Sequence, residues 1–229
     1  MSLMKWINRL YAKIYIKQNN EPLNHYVDKL KNNIPFSFSR YGSGEWSAIF
    51  GRYGQNCDSH EFFQKLGEQL RDTVIRPLEY IYAIQPLAIR NDGKKISHFL
   101  QKNNSSLIWQ NANVFHYASR YGHFYPMIRE LEQKRLVIIG PECLYKLKEI
   151  CFKNMDFIEI PSRNSYLKLN NIINRILTYN KTKSGVVYSL SASIATNIII
   201  HKLFPLVGKK NWLIDFGSVW DIYIDVESL

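Results

Sequence analysis

Apolar residues occur along this chain either in short continuous runs or at every third or fourth position. The continuous runs predict buried strands, and the three-to-four-residue spacing predicts amphipathic helices. The predicted strands cover residues 35–39, 80–84, 106–109, 135–139, 157–160, 185–190 and 212–216. The predicted helices cover residues 5–17, 21–33, 45–50, 60–75, 113–133 (as one helix or two), 141–151, 164–179, 193–204 and a short stretch after 218. Strands that alternate with helices favour an α/β fold, with a mostly parallel sheet covered by helices on both faces.

The chain is predicted to have an N-terminal helix within residues 1–20 and a single α/β domain over 21–229, because no repeat or linker divides it. Met1–Leu3 resembles the remnant of an expression tag and is left out of the fold prediction. The helix is amphipathic, with apolar positions at Ile7, Leu10, Tyr11 and Ile14 and basic positions at Lys5, Arg9, Lys13 and Lys17. Such a helix either rests on an anionic lipid surface or packs its apolar side on the domain with its lysines in water, which is the commoner arrangement.

The composition excludes several classes of protein. Apolar residues make up 46% of the 229 positions and charged residues 21%, which excludes a disordered chain. No apolar run reaches the roughly 18 residues that span a bilayer, and the first apolar cluster is too short and too charged for a secretory signal. We therefore expect a cytoplasmic protein, and the basic helix would allow a peripheral position on the inner membrane face. The three cysteines form no C-x-x-C pair, so neither a disulfide framework nor a structural zinc site is expected.

The formal net charge of +11 favours polyanionic partners, namely nucleic acid, an anionic membrane surface or phosphorylated substrates. The basic residues are dispersed, and the sequence contains neither zinc-finger spacing nor an RNP-type aromatic motif. A nucleic-acid-binding α/β protein is therefore the least favoured of the functions that this charge allows.

The first predicted strand runs into a glycine-rich turn at residues 39–45. Ligands of open α/β sheets bind outside the carboxyl ends of the strands, and Gly42 and Gly44 let the backbone approach a ligand closely. The helix start behind them would offer N–H groups to a phosphate. Arg40 could pair with phosphate oxygens, and Glu45 could hold a divalent cation. The same residues would also make a plain turn in which Ser43 caps the helix and Glu45 complements its dipole. The spacing alone favours neither interpretation.

Two later strand ends carry further candidates. Ser189, Ser191 and Ser193 place hydroxyl groups at the end of a buried strand, where they could bind a sugar or phosphate, and helix capping accounts for only one of them. Asp215 ends an apolar strand, where an ionised carboxylate needs a partner. It could accept a hydrogen bond from a ligand hydroxyl, act as a general base or form a salt bridge with Arg40.

The segment Ser39-Arg40-Tyr41-Gly42-Ser43-Gly44-Glu45 resembles the R-[FY]-G-D-G-E segment of glycosyltransferases with the GT-D fold. Two later segments resemble landmarks of that family in the same order, Ile160-Pro161 with Asn164-Ser165-Tyr166 and Leu213–Ser218 with Asp221. The resemblance implies a Rossmann-like α/β fold. It also implies transfer of a sugar from a nucleotide diphosphate sugar, such as a UDP-sugar, to a glycan, glycolipid or glycoprotein acceptor in bacterial surface polysaccharide assembly.

Together the residues and the resemblance predict a site. Its catalytic residues are Asp215 and Glu45, and Glu45 also binds a divalent metal, Mn²⁺ or Mg²⁺. Its substrate-binding residues are Arg40, Gly42, Ser43, Gly44, Asn164, Ser189, Ser191 and Asp221. Ser43 stands where the family has an aspartate, and losing one carboxylate weakens a site for such cations. This implies weaker metal use, metal-independent binding through Arg40, or a non-catalytic binding or scaffold subunit of a glycan-assembly complex.

Overall fold

The computed structural model describes residues 3–57, 59–180 and 184–224. Met1 and Ser2 of the presumed tag remnant lie outside these residues. The α-helices of this part of the chain are α1 (Leu3–Tyr15), α2 (Leu23–Lys31), α3 (Ser43–Ile49), α4 (Gln64–Ile75), α5 (Pro86–Lys102), α6 (Val114–Arg120), α7 (Tyr125–Glu132), α8 (Leu147–Ile150), α9 (Leu169–Asn180) and α10 (Ala195–Leu203). Short 3₁₀ turns cover Glu142–Lys146, Ser165–Lys168 and Gly217–Tyr223, and a π-turn at Phe204–Gly208 follows α10.

The described strands are β1 (Ser37–Tyr41), β2 (Ile81–Ile84), β3 (Trp109–Asn111), β4 (Arg135–Gly140), β5 (Asp156–Glu159), β6 (Val186–Leu190) and β7 (Trp212–Asp215). They form one sheet in the order β3-β2-β1-β7-β6-β4-β5, and neighbouring strands run parallel. The predicted α/β, Rossmann-like fold is confirmed. β7 lies at the centre of the sheet and pairs with β1, with Phe38 opposite Ile214. The last described strand along the chain is therefore a neighbour of the first.

Successive strand residues feed two apolar cores, one on each face of the sheet. On β4, Val137 and Ile139 belong to one core, whereas Leu136 and Ile138 belong to the other. This alternation is the two-residue period of a pleated strand. Helices α3, α4, α5, α9 and α10 cover the first face, and α2, α6, α7 and α8 cover the second. Burial on both faces explains why the central strands are continuous apolar runs in the sequence.

Several boundaries differ from the prediction. The first strand begins at Ser37, so Pro35 precedes it, and the third begins at Trp109 rather than at 106. The predicted helix 113–133 is two helices, α6 and α7. The 17-residue helix α5 was not predicted, because its polar stretch Asn91-Asp92-Gly93-Lys94-Lys95 hides the apolar periodicity. Gly93 lies where α1 crosses α5, and a Cβ there would collide with the carbonyl oxygen of Asn8.

Helix α1 packs on α5 and its basic side chains are exposed, which agrees with the commoner of the two interpretations of this helix. The predicted apolar side is divided, however. Asn8 and Ala12 are buried against the domain, Ile7 and Tyr11 are half-buried, and Leu10 and Ile14 are exposed. Among the described residues, none of the helices combines the length and the apolar character needed to cross a bilayer.

Candidate functional site

The pairing of β1 with β7 brings two predicted site residues together at the carboxyl edge of the sheet. Asp215 is the last residue of β7, and Arg40 is the penultimate residue of β1. The Arg40 backbone N–H donates to Asp215 Oδ2 at 3.2 Å. These residues are 175 positions apart in the chain, so the parallel register of the two strands alone sets this geometry.

The Arg40 side chain is held against the turn that follows β7. Its Nη1 donates to the Phe216 carbonyl oxygen at 2.8 Å. Gly217 has φ +53°, and a Cβ there would lie 2.5 Å from Arg40 Nη1. Arg40 Nε is buried and has no hydrogen-bond partner among the described residues. The guanidinium is therefore anchored through Nη1, and its Nε–H remains as a donor for a ligand oxygen.

In the turn at residues 42–45, the side chain of Glu45 supports the start of α3, whereas that of Ser43 does not. Gly42 is the N-cap of α3, and its N–H donates to Glu45 Oε2 at 2.7 Å. This geometry matches the part of the plain-turn interpretation in which Glu45 supports the helix start. Ser43 does not cap the helix, because it is the first helical residue, and its Oγ is buried without a partner among the described residues. The Gln85 side chain lies over Gly42, where a Cβ would come within 2.5 Å of Gln85 Oε1.

Asp215 is the most perturbed acid of the site. Burial raises the pKa of its carboxyl from 3.8 to about 7, the charge of Arg40 opposes this rise, and the charge of Glu45 adds to it. The three ion pairs found among the described residues do not include Arg40 with Asp215. The predicted salt bridge is thus replaced by a backbone hydrogen bond and a longer-range attraction. A carboxyl with a pKa near neutrality can both take up and release a proton at physiological pH.

Asn197 on α10 is a site residue that the sequence analysis missed. Its Nδ2 donates to the Arg40 carbonyl oxygen at 2.6 Å and to Ser39 Oγ at 3.1 Å. The side chain is fully buried, and its Oδ1 has no partner among the described residues. Asn197 therefore ties the end of β1 to α10. The sequence shows only that an amide directly before the apolar run Ile198–Ile200 needs partners in the core, and it does not show which ones.

Gln85 and His116 were also missed. Gln85 follows β2 directly and precedes α5, which the sequence did not predict. Burial lowers the pKa of the His116 imidazole on α6, and the charges of Arg40 and Arg120 lower it further. His116 is therefore a neutral imidazole at pH 7, close enough to Arg40 to feel its charge.

Asn164 belongs to a neighbouring chain of hydrogen bonds. The backbone N–H of Asn164 donates to His60 Nδ1 at 3.0 Å, and the backbone N–H of His60 donates to Asn56 Oδ1 at 2.8 Å. Asn56 Nδ2 in turn donates to Ser193 Oγ at 2.9 Å. Asn56 also packs beside Gly44, where a Cβ would lie 3.2 Å from the Asn56 Cβ. His60 and Asn56 thus connect Asn164 to the glycine-rich turn.

The remaining predicted residues have different surroundings. Ser189 is fully buried, and its Oγ accepts a hydrogen bond from Trp220 Nε1 at 2.9 Å. Ser191 is half-buried and donates to the Gly217 carbonyl oxygen at 2.8 Å, beside the Arg40 anchor. Asp221 lies one turn beyond Gly217 in the chain and close to Cys143. Burial raises the pKa of the Cys143 thiol, and the charge of Asp221 raises it further. Ser191 is therefore the one of these three that adjoins Arg40 through a shared neighbour.

A cavity of about 300 Å³ lies at the amino edge of the sheet, opposite to Arg40 and Asp215. It is lined by Lys134 and Leu136 at the start of β4 and by Cys151–Met155 before β5. In residues 3–57, 59–180 and 184–224, no three His, Cys, Asp or Glu side chains are grouped so that they could hold a metal ion.

No protein-family model and no curated protein matches the sequence. Three solved structures have a similar fold. A selenomethionine structure of the domain of unknown function 1792 is 12% identical, with a TM-score of 0.67 over 94% of this chain and 82% of that chain. A structure of that domain described as having a distinct glycosyltransferase fold is 14% identical, with a TM-score of 0.70 and the same coverage. A structure described as a new glycosyltransferase from Streptococcus sanguinis is 18% identical, with a TM-score of 0.64 over 89% of this chain and 82% of that chain. At these identities the likeness establishes a shared fold.

Proposed function

We propose that this protein is a glycosyltransferase that binds the diphosphate of a nucleotide sugar beside Arg40 and the turn at 42–45. The observation that carries the proposal is the meeting of Arg40, Asp215 and Glu45 at one edge of the sheet. The likeness to solved structures described as glycosyltransferases supports it at the level of the fold. The donor and acceptor classes that we propose, a UDP-sugar and a bacterial surface glycan or its lipid- or protein-linked precursor, follow from the resemblance of residues 39–45 to the GT-D segment.

Arg40 and Ser43 are the groups that we expect to contact the diphosphate. Arg40 Nε and Ser43 Oγ are buried polar atoms without a partner among the described residues, and such atoms are rare in folded proteins unless a ligand or water satisfies them. A guanidinium that is already fixed by Phe216 loses little side-chain entropy when it binds phosphate oxygens. The Gly42 N–H contributes less than the sequence implied, because Glu45 already accepts its hydrogen bond.

The carboxylates fit a cation that arrives together with the substrate. Glu45 raises the pKa of Asp215, so the two groups repel each other, and a positive charge near both would relieve this repulsion. Mg²⁺ is commonly held by one or two carboxylates together with the substrate phosphates. Bound Mn²⁺ or Mg²⁺, held by Glu45, would supply neutralisation of the leaving diphosphate.

Asp215 is our proposed general base for the acceptor hydroxyl. Burial raises the pKa of Asp215 to about 7, and the cation proposed above would lower it, so Asp215 would be an ionised base when the acceptor hydroxyl arrives. Arg40 beside it would stabilise the charge that develops on the departing diphosphate. The two roles therefore belong to side chains that the β1–β7 pairing brings next to each other.

The test is calorimetric binding of UDP-sugars to the wild type, Arg40→Lys and Arg40→Ala, each with and without Mn²⁺. We expect Arg40→Ala to bind roughly 10- to 100-fold more weakly, since a hydrogen bond to a charged group is typically worth about 1.5–3 kcal/mol, and Arg40→Lys to fall between. Arg135→Ala is the matched control, because Arg135 is an exposed arginine at the opposite edge of the sheet. Folded wild-type protein that gives no heat with any nucleotide sugar would contradict the proposal.

A second candidate function rests on Ser43. With a hydroxyl in place of the aspartate of the resembling family, the protein would bind the nucleotide sugar but not turn it over, and would act as a binding or scaffold subunit. Ser43→Asp tests this directly through hydrolysis of a UDP-sugar. Activity that appears only in the variant supports the scaffold function, and turnover by the wild type removes it.

A further inference from the structure

Helix α1 docks on the domain through the buried residues Asn8 and Ala12, with Ile7 and Tyr11 half-buried beside them. Asn8 Nδ2 donates to the Asn91 carbonyl oxygen at 2.6 Å, and Asn8 Oδ1 accepts from the Lys94 N–H at 3.2 Å. Ala12 is buried on the same side, one turn further along. Both contacts fall where α5 has Gly93, which lets the two helices approach closely. Hydrogen bonds of a buried amide therefore fix the rotation of α1 about its own axis.

This rotation turns a stripe of large apolar residues away from the protein. Trp6, Leu10 and Ile14 are spaced by four residues and share one helix face. Their exposed fractions are 52%, 41% and 61%. A contiguous exposed stripe of this kind marks an interaction surface more often than isolated exposed apolar residues do.

The charges around the stripe identify the kind of partner. Lys5, Arg9 and Lys13 of α1 and Lys17 just beyond it are exposed. Residues 3–20 contain no acidic side chain. A second copy of the chain would bring two such basic helices together, which like-charge repulsion opposes. An anionic surface with an apolar layer beneath it satisfies both the lysines and the stripe.

We propose that α1 lies along the surface of a bilayer rich in anionic phospholipid. Trp6, Leu10 and Ile14 enter the boundary between headgroups and acyl chains, and the basic side chains contact lipid phosphates. The inference is independent of the glycosyltransferase proposal, because it uses no residue of the sheet edge. It places the protein at the membrane whatever reaction it catalyses.

Tryptophan fluorescence of the full chain tests the proposal directly. Trp46, Trp109, Trp212 and Trp220 are buried, whereas Trp6 is half-exposed, so a blue shift on binding reports on α1. The probes are vesicles of phosphatidylcholine alone and of phosphatidylcholine with an equal part of phosphatidylglycerol. We expect a blue shift and co-sedimentation with the anionic vesicles, both weakened by salt, and little binding to the neutral ones. Absence of binding to the anionic vesicles overturns the proposal.

Paired variants separate the stripe from general stickiness. Leu10→Gln/Ile14→Gln removes two of its apolar side chains, and we expect vesicle binding to fall roughly tenfold or more. Leu167→Gln/Leu206→Gln is the control, because those two residues are similarly exposed elsewhere, and its binding should match the wild type. Equal binding by both double variants would overturn the proposal. So would a dimer of the wild type that Leu10→Gln/Ile14→Gln dissociates, since the stripe would then bind a second copy.

Discussion

Two regions of this molecule depart from the usual distribution of side chains in opposite ways. At the carboxyl edge of β1 and β7, a carboxyl group is buried beside a guanidinium. On α1, large apolar side chains face outward while an asparagine is buried. Each arrangement is held by hydrogen bonds to backbone groups of a distant segment, Arg40 to Phe216 and Asn8 to Asn91. The comparison teaches that a fixed polar contact can decide which side of a segment is buried, against its hydrophobic pattern.

The largest expected effect concerns the buried carboxyl. The pKa of Asp215 is about 7 in the folded protein and near 3.8 when the chain is unfolded. Because the folded value is the higher one, the stability contributed by Asp215 is fully present below pH 4 and is lost as the pH rises through 7. Asp215→Asn keeps the shape and removes the titration. The unfolding free energy of Asp215→Asn minus that of the wild type should be larger at pH 8 than at pH 4, by up to about 4 kcal/mol.

Urea denaturation at pH 4, 6 and 8 measures this difference. Glu45→Gln is an informative companion, because removing its charge should lower the pKa of Asp215 and flatten part of the pH dependence. A difference between Asp215→Asn and the wild type that stays constant from pH 4 to 8 would show that folding does not raise the pKa of Asp215.

The next largest effect concerns the anchor of Arg40. Gly217→Ala places a side chain at φ +53° and brings its Cβ within 2.5 Å of Arg40 Nη1. We expect a loss of about 1–3 kcal/mol in unfolding free energy from the backbone strain, together with weaker nucleotide-sugar binding as the guanidinium shifts. Gly122→Ala also places alanine at positive φ but with nothing near its Cβ, so it should lower stability without changing binding. Binding losses of equal size in both variants would mean that the Arg40 anchor is not involved.

The smallest effect sharpens the comparison on α1 itself. Asn8→Ala removes the buried hydrogen bonds between Asn8 and α5, which we expect to cost about 1–2 kcal/mol. Leu10→Gln changes an exposed apolar residue two positions away and should alter the unfolding free energy by less than about 0.5 kcal/mol. Thermal unfolding of the two variants distinguishes them. A larger loss from Leu10→Gln would place Leu10, not Asn8, at the contact with α5.

The sequence predicted the fold class and the strands well, because strands buried on both faces are continuous apolar runs. It did not predict α5, because Asn91, Lys94 and Lys95 at its centre are exposed polar residues and only Gly93 among them is buried, beneath α1. The prediction of the site was likewise incomplete. Arg40, Glu45 and Asp215 could be found as unusual residues at strand ends, whereas Asn197, Gln85 and His116 could not, because nothing in their local sequence shows which strand end they face.

The sequence by itself therefore determined the layers of the molecule and the chemistry available at its strand ends, since burial period and residue type are local properties. Only the tertiary structure decided that Asp215 meets Arg40 and that Ser189 bonds to Trp220 inside the core. The same holds for α1, whose apolar stripe faces outward because Asn8 bonds to α5. The reason is that pairing between strands and docking between helices depend on contacts across more than 80 residues, and no local pattern encodes them.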